Sequence, residues 1–192
     1  MTSDEQLILE LKQGSEPAFT ELFLRYRERV WAFFRRRMND AAQAEELAQE
    51  TFLAVLRGAQ RYEPRATFRA YLFGIAFNIL AAHRRKSAND PKSTSVAPDE
   101  TAAPAGTNHE DALCVRQAVE RLENGEREVL MLREFEELSY EEIAKMLYVP
   151  VNTVRSRLFR ARMALRDILT VTPGSLGGRK WIRPLILTSK KR

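Results

Sequence analysis

Five arginines fall between positions 155 and 166 of this chain, namely Arg155, Arg157, Arg160, Arg162 and Arg166, with no acid among them. A guanidinium can place two donors on the O6 and N7 acceptors of guanine, so arginines on one helical face are chemically able to read bases. Val154, Leu158, Ala161 and Leu165 recur on one side of the same run, which predicts a helix with one apolar stripe. Asn152, Arg155, Ser156, Phe159 and Arg160 then lie on the opposite face, with Thr153 beside them. Arg157 and Arg162 flank that row and suit phosphate oxygens, contacts that position a protein on DNA without specifying sequence. A charged helix face is more often merely solvated. Five unbalanced arginines directly after a short turn favour DNA instead.

The residues upstream supply the turn. Ser139 with Glu142 three positions later makes a capping box, so a helix should start at Tyr140. Ile143, Ala144 and Leu147 form its apolar face. Val149-Pro150-Val151 interrupts the pattern, because proline lacks an N–H and restricts the residue before it. Two short helices about a tight turn make a helix-turn-helix, whose second helix ordinarily lies in the major groove.

The full chain has 192 residues, 31 Lys and Arg against 26 Asp and Glu, and a formal net charge of +5. The charge is segregated. Acids gather around Asp40–Glu50 and Glu120–Glu142; bases gather at Arg25–Arg37, His83–Lys86, Arg155–Arg166 and the C-terminus. Such a division suggests a basic nucleic-acid surface and a separate acidic surface for protein. One cysteine, Cys114, excludes an intrachain disulfide and a multi-cysteine zinc site. Its apolar neighbours make it a small core side chain. No apolar run reaches membrane-spanning length, and the acidic start MTSDEQLILE does not read as a signal peptide. A cytoplasmic protein without membrane insertion is expected.

Residues 87–111 change character, with three prolines, many small polar residues and few large apolar ones. That composition cannot offset the entropy of ordering, so a flexible linker is expected. It separates a block at 1–86 from a block at 112–170, and a basic tail at 171–192 is expected to be mostly disordered. In the first block, Leu7, Ile8 and Leu11 start a helix that Gly14 ends, and Phe19 to Phe34 carry a second stripe. Asn39 or Asp40 caps a third, with Leu47, Ala48, Thr51, Val55 and Leu56 inward. A fourth spans about 67–85 with Tyr71, Leu72, Ile75, Ile79 and Leu80. In the second block, 112–122 and 126–133 precede the helix-turn-helix. The fold class is all-α: two small helical domains and a tether.

The run EREVLMLREFEELSYEEIAKMLYVPVNTVRSRLFRARMALR resembles region 4 of the bacterial sigma-70 family. The run from AFTELFLRYRERV to FNILAAHRRK resembles region 2. Together they cover about residues 4–86 and 112–170, in the family's order and without its additional domains. This is the pattern of the extracytoplasmic-function (ECF) group.

The resemblance implies roles for individual residues. Glu45, Glu46, Gln49, Glu50 and Leu53 lie off the inward stripe of the third helix and match the face that binds the clamp helices of the large polymerase subunit. The segment from Arg61 to Arg85 matches the part that opens the downstream (-10) element. Aromatics there can stack on unpaired bases while arginines track phosphates, which singles out Arg61, Tyr62, Arg65, Phe68, Tyr71, Asn78, Arg84 and Arg85. The upstream (-35) element falls to the row on the last helix. Core RNA polymerase, through the clamp helices and the flap, and promoter DNA are the implied partners, with an anti-sigma factor as a restraint. No cofactor, metal or catalytic group is expected. A stand-alone helix-turn-helix regulator is the alternative.

Overall fold

Side-chain caps open several of the helices, and one glycine closes the first, in this computed structural model, which describes residues 2–88 and 109–171. Ser3 accepts a hydrogen bond from the Gln6 amide and opens α1 (Asp4–Lys12). Gly14, at φ +92°, ends that helix by donating to the Leu11 carbonyl, in a conformation that costs other residues energy. Ser15 caps α2 (Glu16–Arg35). Asp40, rather than Asn39, caps α3 (Ala41–Gly58), its carboxylate accepting from the Ala42 and Gln43 amides at 2.8 and 3.3 Å. A 3-10 turn (Ala59–Arg61) leads towards α4 (Phe68–Ala88), where the Thr67 hydroxyl accepts from Ala70 and Glu5 accepts from the Phe68 amide. The second unit holds α5 (His109–Glu120), α6 (Asn124–Glu134), α7 (Tyr140–Leu147) and α8 (Val151–Val171). Among the described residues there is no strand.

The described residues fall into two units, one holding α1 to α4 and the other α5 to α8. In the first, α2 packs against α1 and α3, and α3 against α4. The core is Ile8, Leu22, Val30, Phe33 and Phe34 against Val55, Leu72, Phe73 and Leu80, all essentially without solvent exposure. Aromatic pairs run through it: Phe33 lies 5.6 Å from Phe73, and Tyr26 meets Phe68 edge-on at 5.4 Å. Asp4 ties α1 to α2, binding Arg25 at 2.7 Å and accepting the Tyr26 hydroxyl. Burial, with that hydrogen bond, pushes the Tyr26 phenol up to about 12. The inward stripes differ from expectation at a few positions. Leu56 is 44% exposed. On α4 the buried set is Phe68, Leu72, Phe73, Ala76 and Leu80, with Tyr71, Ile75 and Ile79 only half-buried.

The second unit is built on α6, α7 and α8, with Val129, Leu132, Leu138, Ile143, Val154, Leu158 and Ala161 inside. Both halves of the capping box form: Ser139 N–H donates to Glu142 at 2.8 Å, and Glu142 N–H donates to the Ser139 hydroxyl at 3.2 Å. The expected linker gives up its edges to helix, since α4 runs through Ala88 and α5 starts at His109. Its interior at 89–108 and the tail at 172–192 lie outside the described residues.

The turn between α7 and α8 has an unusual hinge residue. Tyr148 sits in the left-handed region, φ 54° and ψ 44°, as the C-cap of α7. Its side chain is 91% exposed. A non-glycine residue here costs roughly 1–2 kcal/mol, and an exposed ring recovers little through packing. Tyr148→Gly should therefore stabilise the second unit by about 1 kcal/mol after glycine's own entropy is discounted. A rise in thermal midpoint would be the signature; an unchanged or lower midpoint would show that the ring stabilises the turn.

Candidate nucleic-acid interface

The buried stripe of α8, Val154, Leu158, Ala161 and Leu165, turns Asn152, Arg155, Ser156, Phe159 and Arg160 to solvent. Thr153 is half-buried beside them, and its carbonyl accepts the Ser156 hydroxyl at 3.1 Å. Phe159 is 64% exposed, an apolar surface suited to a thymine methyl. Arg155 Nη1 makes only a long contact to Asn152 Oδ1, 3.5 Å. Arg160 differs: its Nε donates to Glu126 Oε1 of α6 at 2.7 Å, and the Glu126 side chain is 11% exposed. The Arg157 guanidinium lies over Gly125, its carbon 3.2 Å from where a Cβ there would stand.

Arg162 corrects an expectation. The sequence puts it with the phosphate contacts, yet it is 9% exposed and donates to Glu134 of α6 at 2.7 Å. A guanidinium that has lost its water needs such a partner, so this side chain holds α8 to α6 and is not presented to DNA. Its position one turn after Leu158 placed it within the apolar stripe. The partner, 28 residues away, carried no local signal.

On α4 the structure separates residues that alternate in sequence. The helix contains no acid, and Asn78, Arg84, Arg85 and Lys86 are exposed. Arg61 and Arg65 are exposed as well, Arg65 paired with Glu63 at 2.5 Å. Tyr62 and Phe68, expected as stacking surfaces, are 2% and 1% exposed, and buried rings offer no face to a base. The Tyr62 ring packs edge-on to Tyr71 at 5.0 Å, and its carbonyl accepts from Lys12 Nζ at 3.0 Å. Burial raises both the Tyr62 and Tyr71 phenols. Tyr71 alone of these three is only half-buried. Its hydroxyl sits 2.6 Å from where a Cβ on Gly58 would stand, so the end of α3 and the side chain of α4 meet at a position that only glycine fits unchanged.

The third surface is α3. Glu45, Glu46, Gln49 and Glu50 are exposed, and Leu53 is 48% exposed. Leu56, assigned inward from sequence, joins Leu53 on this side and enlarges its apolar part. Among the described residues no cluster of His, Cys, Asp or Glu is placed to hold a metal ion, and no helix is long and apolar enough to cross a membrane.

Comparison with known proteins finds one family in both parts of the chain. The Sigma-70 region 2 model matches residues 22–89, and the Sigma-70 region 4 model matches residues 112–165. RNA polymerase sigma-H factor of Pseudomonas aeruginosa is 32% identical over 86% of this chain and 93% of its own length. ECF RNA polymerase sigma-E factor of Salmonella typhimurium is 30% identical over 85% of this chain and 92% of its own length. The chain belongs to the sigma-70 family, in its ECF group. Among solved structures, this sigma factor resembles RpoE, determined with the anti-sigma factor NepR from Bartonella quintana. The TM-score is 0.68 at 24% identity, covering 80% of this chain and 97% of that one. CnrH, determined with the cytosolic domain of CnrY, gives 0.66 at 24% identity over 88% and 98% of the two chains. The region 2 match runs from Leu22 within α2 through α3 and α4, and the region 4 match runs from Ala112 within α5 to Leu165 of α8. The protein is an initiation factor for transcription, and a stand-alone helix-turn-helix regulator would leave region 2 without a role.

Proposed function

We propose that this sigma factor docks on core RNA polymerase through the exposed face of α3, Glu45, Glu46, Gln49, Glu50, Leu53 and Leu56. It reads the upstream promoter element with Asn152, Thr153, Arg155, Ser156, Phe159 and Arg160, and Arg157 approaches the phosphates from the side. It holds the displaced strand of the downstream element along α4, with Tyr71 and Asn78 toward the bases and Arg61, Arg65, Arg84 and Arg85 along the backbone. The chain itself catalyses nothing, since nucleotide addition belongs to the polymerase, and it works in the cytoplasm with its partners. An anti-sigma factor, the kind of partner bound to RpoE in the solved complex, restrains it by covering the same faces.

One observation carries this reading. The side chains on α8 able to read bases stand exposed in a single row, directly after the turn, while the opposite stripe is wholly buried. A sigma factor must also prefer unpaired non-template strand, which a duplex-binding regulator need not do. Each stacked base is worth about 1–3 kcal/mol, comparable to the few kcal/mol needed to unstack it. Arg155→Ala should lower selectivity at one upstream base by roughly 1–3 kcal/mol in footprinting by reconstituted holoenzyme. Asn78→Ala should leave upstream recognition intact, slow open-complex formation, and recover on a pre-melted downstream bubble. Normal opening by Asn78→Ala on linear duplex would remove that residue from the strand-holding set. Equal affinity of the wild-type holoenzyme for bubble and duplex would reject the reading as a whole.

A further inference from the structure

Arg160 is the one exposed arginine of the reading row that a second helix holds. Its Nε donates to Glu126 at 2.7 Å while the guanidinium side chain stays 56% exposed. Glu126 stands in the first turn of α6, and α6 has no side-chain cap hydrogen bond at its N-terminus. A carboxylate in a first turn is favoured by the helix dipole, and only 11% of this side chain meets solvent.

A guanidinium has five N–H donors, one on Nε and two on each terminal nitrogen. With Nε committed to Glu126, base recognition falls to the terminal pair. That removes the alternative side-on approach through Nε and leaves an end-on fork. It also fixes the side chain before DNA arrives, so less rotamer freedom is lost on binding. The carboxylate acts on charge as well. An arginine already facing a carboxylate attracts phosphate weakly, yet keeps directed donors for a base edge. Resting on the reading of α8 as the upstream-element reader, we infer that Glu126 is a positioning residue that turns Arg160 from a general phosphate contact into a selective base contact.

The test uses holoenzyme reconstituted with full-length chain and linear duplexes randomised over the upstream element, with the downstream element fixed. Base preferences are read from the retained fraction at several salt concentrations. Arg160→Ala should erase the preference at one position. Glu126→Ala should lower that same preference about tenfold and raise retention of unselected duplexes, a change of opposite sign from general damage. Glu126→Gln keeps an acceptor but no charge. It should retain most of the preference while steepening the dependence of log affinity on log salt by about one. A folded Glu126→Ala protein with wild-type preference at the Arg160 position overturns the inference. If that variant fails to melt cooperatively, Glu126→Gln decides, and unchanged salt dependence overturns the inference. If Arg155→Ala and Arg160→Ala both leave all preferences unchanged, the reading of α8 fails, and the role of Glu126 falls with it. Loss of preference in the Arg variants with none in either Glu126 variant defeats the positioning role alone.

Discussion

Glu46→Lys combined with Glu50→Lys should all but remove capture of core polymerase while the chain keeps its helical signal and melting midpoint. Both carboxylates are exposed on α3, off the buried stripe of Ala44, Leu47, Ala48, Thr51, Phe52 and Val55. They sit four residues apart and repel one another slightly. Two lysines in their place repel by a similar amount, so the helix itself is nearly indifferent to the exchange. Docking is not indifferent. A face that complements a basic partner becomes one that opposes it, and like charges brought together across an interface cost several kcal/mol. Weakening of about a hundredfold or more in a core-binding titration is the expected result. Leu53→Ala should weaken binding less, through lost apolar contact. Undiminished capture by the double lysine variant, with an unchanged melt, would move the docking face elsewhere on region 2.

Phe68→Ala should cost the first unit about 3–5 kcal/mol, the usual loss when a fully buried aromatic is cut back to a methyl group. Phe68 is 1% exposed and meets the Tyr26 ring at 5.4 Å. Whole domains are stable by only about 5–15 kcal/mol, so the variant should denature at much lower urea concentration. It should lose polymerase binding and strand opening together. This is the opposite of what a base-stacking residue does, which is to spare docking and impair opening alone. A Phe68→Ala protein with wild-type stability and a selective opening defect would restore the ring to the DNA surface. Tyr62→Ala should behave in the same way, since its ring is buried beside Tyr71.

Local signals were readable wherever the cause was itself local. The capping box at Ser139 and Glu142, the helix stop at Gly14 and the stripe of Val154, Leu158, Ala161 and Leu165 depend on residues a few positions apart. The reading row on α8 followed from that stripe by helical geometry. Signals failed where a distant element decides. Arginines interleaved with aromatics look the same in sequence whether the rings face bases or a neighbouring helix. The Tyr62 ring is taken up by Tyr71 of α4, and the Phe68 ring by Tyr26 of α2. Arg162 and Arg160 owe their partners to α6, through Glu134 and Glu126. Leu56 has the hydrophobicity of a core residue but stands 44% exposed beside Leu53.

The close approach of Gly58 to the Tyr71 hydroxyl, 2.6 Å from a notional methyl group, separates two tasks that natural initiation joins. The α3 residues proposed to dock lie earlier in the helix, so one added carbon at its last residue leaves them in place. The same carbon must push the Tyr71 ring away from its present position. With the roles proposed above for α3 and Tyr71, a chain altered in that way would still occupy polymerase but would start transcripts poorly. Within a cell that also holds the unaltered chain, it would act as a competitor, withdrawing polymerase from its own promoters. The hydrogen atom that serves as the Gly58 side chain is thus a point at which occupancy and output can be uncoupled.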